Sequence, residues 1–151
     1  MNRKASVIWE GNLREGTGTL STESGALRDT KYSFRTRFER ANGKEKNGKE
    51  RKWTNLEELI AASLGGCFSM TLSDELERSG LHPERIETTA VATLEESKGR
   101  WTLTRIELEV CAKIPNATQN HFIDAALAAK TNCSIAQLLN TNILMIAHLE
   151  A

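Results

Sequence analysis

Two hydrophobic periods divide the chain, and the change between them falls at Thr54. Near the start, Val7 and Trp9 alternate with polar neighbours and Gly11 to Gly18 supply turn residues, which predicts a β-hairpin over 5–22. Tyr32, Phe34, Thr36 and Phe38 then fall on one face and Ser33, Arg35, Arg37 and Glu39 on the other, so 31–39 reads as a strand. From Thr54 the period is helical. Thr54 or Asn55 can cap, and Glu57 and Glu58 sit in the first turn, where carboxylates suit the helix dipole. Leu56, Leu59, Ile60, Ser63, Leu64, Cys67, Phe68, Thr71 and Leu72 recur at three- and four-residue steps. The pattern continues to Leu76 and stops at Gly80, with Pro83 beyond. So broad an apolar arc predicts a long, buried helix. Gly65-Gly66 in its middle cost up to about 1 kcal/mol each against alanine. They predict close approach of another helix or backbone, or a kink.

Alternation returns over 85–95, where Ile86, Thr88, Ala90, Ala92 and Leu94 share a face, and over 100–113, where Ile106, Leu108 and Val110 do. Pro115-Asn116 ends that strand. An alanine-rich helix follows over 117–130. Thr131-Asn132 can cap a short helix over 133–140, and 141–149 reads as a last strand. Strands that come in groups, rather than alternating with helices, predict an α+β fold with mainly antiparallel pairing. No repeat or linker divides the chain, so 1–151 reads as a single domain. Its polar run 40–52 holds Arg40, Lys44, Lys46, Lys49, Arg51 and Lys52 against Glu45 and Glu50. That run reads as a solvated insertion, with a partner-docking loop as the alternative.

Composition narrows the function. With 151 residues the chain can bury a real core. Twenty basic residues balance twenty acidic ones, which argues against a nucleic-acid partner. No apolar run is long enough to span a membrane, and none of signal-peptide length follows Met1-Asn2-Arg3-Lys4. The expectation is a cytoplasmic protein with no membrane association, in which Cys67, Cys111 and Cys133 are free thiols. His82, His121 and His148 lack metal-site spacing, so no metal is expected. Cys111, between Val110 and Ala112, reads as a small core residue. Cys133 falls at the start of a helix, a position that favours a thiolate. Spacing alone does not lift Cys67 or Cys133 above the core-residue reading.

The combination of segments is more specific. Trp9-Glu10-Gly11, Gly16-Thr17-Gly18-Thr19, Ser21-Thr22-Glu23-Ser24-Gly25 and Thr36-Arg37-Phe38-Glu39 come first. Asn55 to Ala62 leads into Cys67-Phe68-Ser69-Met70, and Cys133-Ser134-Ile135-Ala136-Gln137-Leu138-Leu139 closes the series. In order and relative spacing the chain resembles the OsmC (osmotically inducible protein C) branch of the OsmC/Ohr family over essentially its full length. The resemblance implies an OsmC-like fold, with antiparallel sheets wrapped around long central helices in an intertwined homodimer. It implies a thiol peroxidase for organic hydroperoxides, with no cofactor and recycled by a dithiol of the lipoyl type. By position, Cys67 matches the peroxidatic cysteine and Cys133 the resolving one. Arg37 matches the arginine that pairs with the thiolate, and Glu57 the carboxylate that holds that arginine. The chain departs from the family at Leu56 and Ser134, where proline is usual or frequent, and neither position is expected to do chemistry. The basic 40–52 run is longer than usual.

That chemistry suits these residue types. An ordinary thiol, with a pKa of about 8.5, is only a few per cent ionised at pH 7. A guanidinium is always charged and can favour the thiolate, and a carboxylate can fix it bidentately. Glu57 and Cys67 stand ten residues apart, about 15 Å along a straight helix and on different faces. A shared site therefore requires either a bend at Gly65-Gly66 or a second chain. Two other functions fit the same fold: a non-enzymatic binder of apolar ligands, and a peroxide sensor read by a partner.

Overall fold

The computed structural model describes residues 1–38 and 52–150. Apart from Lys52, the basic run 40–52 lies outside them, as does Glu39. The backbone divides into two compact units, Met1–Leu59 and Ile60–Ala151.

The first unit holds a three-stranded antiparallel sheet: β1 (Ala5–Glu10), β2 (Thr17–Thr22) and β3 (Thr30–Ser33), in that order. The hairpin over 5–22 forms as its alternation predicts, with Val7 opposite Leu20 and Trp9 opposite Gly18. β1 is exposed along its whole length, so the apolar Val7 and Ile8 both face solvent in the single chain.

The strand expected over 31–39 ends early. β3 stops at Ser33, and a short helix α1 (Phe34–Phe38) takes over. The switch is a reciprocal cap. Ser33 Oγ accepts from the Thr36 amide at 3.3 Å, and Thr36 Oγ1 accepts from the Ser33 amide at 2.9 Å. Phe34 and Phe38, aligned by alternation, are also i,i+4 neighbours, and their rings meet tilted, with centroids 4.8 Å apart. Both periods fit this short segment, and the cap decides for the helix.

The long helix α2 (Leu56–Arg78) begins where the sequence places it, with Asn55 Oδ1 accepting from the Glu58 amide at 2.8 Å. It runs unbroken through Gly65-Gly66. It closes on Gly80 at φ +75°, with the Leu81 amide bonded to Leu76 O and the Gly80 amide to Glu77 O. This is a Schellman end, the arrangement that a glycine just past a helix favours.

The second unit is built on β4 (Arg85–Ser97), β5 (Arg100–Lys113) and β6 (Asn142–Leu149). β4 and β5 pair antiparallel, but β6 lies parallel to β5, so the pairing is mixed in this sheet. Parallel neighbours need a long crossover. Two helices between β5 and β6 supply it: α3 (Gln119–Asn132) and α4 (Ser134–Leu138). The core of this unit takes Leu64, Phe68, Leu72 and Leu76 from one ridge of α2. Ile106, Leu108 and Val110 come from β5, and Phe122, Ala126 and Ala129 from α3. Cys111 is not in it. Period two puts Cys111 on the opposite face of β5 from Val110 and Ala112, where its thiol lies 3.3 Å from Glu150 Oε1. No helix among the described residues is long and apolar enough to cross a membrane.

Candidate active site

The second unit brings Cys67 and Cys133 together. Cys67 is half-buried in the middle of α2, one residue before the core position Phe68. Cys133 is fully buried and lies at the joint of two helices: its amide closes α3 onto Ala129 O at 2.9 Å. Its carbonyl opens α4 by accepting from the Gln137 amide at 3.0 Å. The expected cap at Thr131-Asn132 therefore shifts to Cys133, because α3 runs on through Asn132. Asn132 acts elsewhere, donating from Nδ2 to Glu75 Oε1 at 2.7 Å and tying the joint to α2. Both thiols are free.

Their acidities diverge. Burial pushes the Cys67 thiol up. Hydrogen bonds from the Cys133 thiol, the Ile135 amide, and the hydroxyl and amide of Ser134 outweigh it, and the net falls below that of an ordinary thiol. Cys133 is raised, first by burial and then because it donates to Cys67. The helix-start effect expected for Cys133 is thus felt by Cys67 as well, with the opposite net outcome. The thiols settle into an ionisable acceptor and a protonated donor. Cys111 is raised too, chiefly by its hydrogen bond to Glu150.

Ser134 carried no expected chemistry, yet its Oγ lies 3.6 Å from Cys67 Sγ. Its sequence signal is slight, a hydroxyl directly after the second cysteine.

The first unit brings together Arg37 and Glu57. Arg37 stands on α1, and its Nε donates to Glu57 Oε1 at 2.8 Å. Glu57 is only 8% exposed, in the first turn of α2. Its other oxygen, Oε2, is buried with no hydrogen-bond partner among the described residues. The expected bidentate grip is therefore a single charge-assisted bond through Nε. The guanidinium also lies 4.9 Å from the centre of the Phe38 ring, in cation–π range. No group of His, Cys, Asp or Glu among the described residues could hold a metal ion.

The chain is similar to known proteins along its whole length. The chain is 35% identical to peroxiredoxin OsmC of Escherichia coli (strain K12) over 151 residues, 100% of this chain and 99% of that protein. Among solved structures it is similar to an OsmC-like protein of unknown function from Vibrio cholerae. The TM-score is 0.72 at 16% identity, covering 97% of this chain and 99% of the other. It is also similar to the organic hydroperoxide resistance protein OhrB of Bacillus subtilis. There the TM-score is 0.67 at 18% identity, covering 97% and 98% of the two chains. Residues 48–146 match the family described as OsmC-like protein. With that match and a full-length relative, the chain belongs to the OsmC-like family.

Proposed function

We propose that the chain reduces organic hydroperoxides to alcohols through Cys67, with Cys133 as the resolving thiol. A peroxide-reducing enzyme is the coarser statement, and full-length likeness to a named peroxiredoxin carries it. The finer reading is supported by one observation above all: two free thiols that act on one another's acidity, one lowered in pKa and the other raised.

A thiolate is the attacking species. Cys67 Sγ attacks the terminal oxygen of the hydroperoxide and the O–O bond breaks. Cys67 becomes a sulfenic acid, and the alkoxide leaves and takes up a proton. Cys133, protonated until then, gives up its proton to the departing hydroxide as its sulfur attacks the sulfenic sulfur. A Cys67–Cys133 disulfide forms and water departs, before irreversible over-oxidation. An external dithiol, of the lipoyl type by family resemblance, reduces the disulfide and is itself oxidised to a cyclic disulfide.

Arg37 would favour the thiolate and the departing alkoxide, with Glu57 holding the guanidinium. The proposal includes a homodimer in which Arg37 and Glu57 of one chain serve Cys67 of the other. The continuous α2 supports it, since ten helical residues at about 1.5 Å each separate Glu57 from Cys67 along the helix. An apolar β1 left exposed in the single chain supports it as well. A dimer structure with Glu57 nearer its own Cys67 would overturn that arrangement.

The test is turnover of cumene or tert-butyl hydroperoxide with dihydrolipoamide. Wild type cycles, Cys67→Ser is inactive, and Cys133→Ser consumes about one equivalent of peroxide and stops. If Cys67→Ser matches wild type, the thiols are not catalytic and the peroxidase mechanism fails.

A further inference from the structure

The contact between Ser134 and Cys67 joins two residues 67 positions apart in the chain, and neither the catalytic cycle nor α4 needs it. We infer that Ser134 is a third working member of the thiol cluster: its hydroxyl donates to Cys67 Sγ and stabilises the sulfur in its ionised form. The inference rests on Cys67 being the reacting thiol.

The argument from hydrogen-bond chemistry is directional. At 3.6 Å either Oγ or Sγ could donate while Cys67 is protonated. Once Cys67 ionises, its sulfur has no proton and can only accept, so the hydroxyl must be the donor. A bond to a charged acceptor is roughly twice as strong as its neutral counterpart. The contact therefore strengthens on ionisation, which is the condition for favouring one protonation state over the other. The Ser134 amide also contributes to Cys67. A proline at this position would supply neither hydroxyl nor N–H. The hydroxyl has no comparable structural duty, because Ser134 is exposed and α4 takes its cap position from Cys133. Truncating it should leave the fold intact.

The experiment reads the Cys67 thiolate directly. Full-length wild type, Ser134→Ala and Ser134→Thr are pulse-alkylated with iodoacetamide across pH, and modification of the Cys67 peptide is followed by mass spectrometry. In Ser134→Ala the midpoint is expected to rise by about half a unit or more, a roughly threefold or larger loss of thiolate below it. Ser134→Thr, which restores the hydroxyl, is expected to recover the wild-type midpoint. A smaller rise in the alanine variant, or an equal rise in the threonine one, overturns the inference. The titration needs no peroxide, so the two readings fail separately. A wild type that does not turn over, with the midpoint shift intact, sinks the peroxidase mechanism alone. Turnover with an unmoved midpoint sinks the role of Ser134 alone.

Discussion

At the scale of single residues, three chemically identical thiols end in three environments. Cys67 is half-buried but surrounded by donors, Cys133 is buried and donates, and Cys111 faces a carboxylate. Ionised sulfur is the nucleophile, so alkylation should separate them. Because its pKa is lowered, Cys67 should react with a midpoint below that of an ordinary thiol, and its rate should fall only as the pH drops through that midpoint. Cys111 and Cys133, both raised, should lag behind an ordinary thiol as the pH rises. Peptide-level alkylation rates between pH 5 and 10 measure the order. Equal midpoints for Cys67 and Cys133 would contradict the environments described. The chain shows where each cysteine lies, but not which groups surround it. Cys111 sits in an apolar run, yet period two turns it away from the core.

At the scale of elements, local sequence predicts well wherever one period is sustained. α2 and its two ends, the β4–β5 pair and the hairpin all follow from patterns a few residues long. The segment over 31–39 differs because it is too short for period alone to choose, and a serine-threonine cap chooses instead. Gly65-Gly66 are the other exception. A Cβ at Gly65 would meet Ala90 Cβ at 3.7 Å and Thr88 Cγ2 at 3.8 Å, ordinary van der Waals distances. Gly65→Ala should therefore fit and stabilise the chain by about 0.5–1 kcal/mol through helix propensity, read as a higher urea midpoint. A lower midpoint would mean that something beyond this chain approaches the helix at Gly65.

At the scale of the molecule, the second unit is organised by the ridge of Leu64, Phe68, Leu72 and Leu76 against β5 and α3. Phe68 is fully buried there, directly after Cys67. Phe68→Ala should cost about 3–5 kcal/mol, through lost transfer energy and a cavity the close-packed surroundings cannot fill. Urea unfolding of the full chain measures it, and a loss under about 1 kcal/mol would show that the ridge is not the core. The same packing positions the chemistry: α2 presents Cys67 from one turn while anchoring the core through the next residue.

The class of the fold and most element boundaries are legible in the chain, because periodicity and capping are properties of neighbouring residues, and the order of motifs along it points to Cys67 and Cys133. The three-dimensional arrangement alone decided the parallel placement of β6, the single-bond grip of Glu57 on Arg37, and the different acidities of Cys67 and Cys133. Each of these depends on groups brought together from distant parts of the chain, as Ser134 and Cys67 are across 67 positions. A thiol's acidity is set by the donors and burial it meets after folding, and no local pattern encodes them.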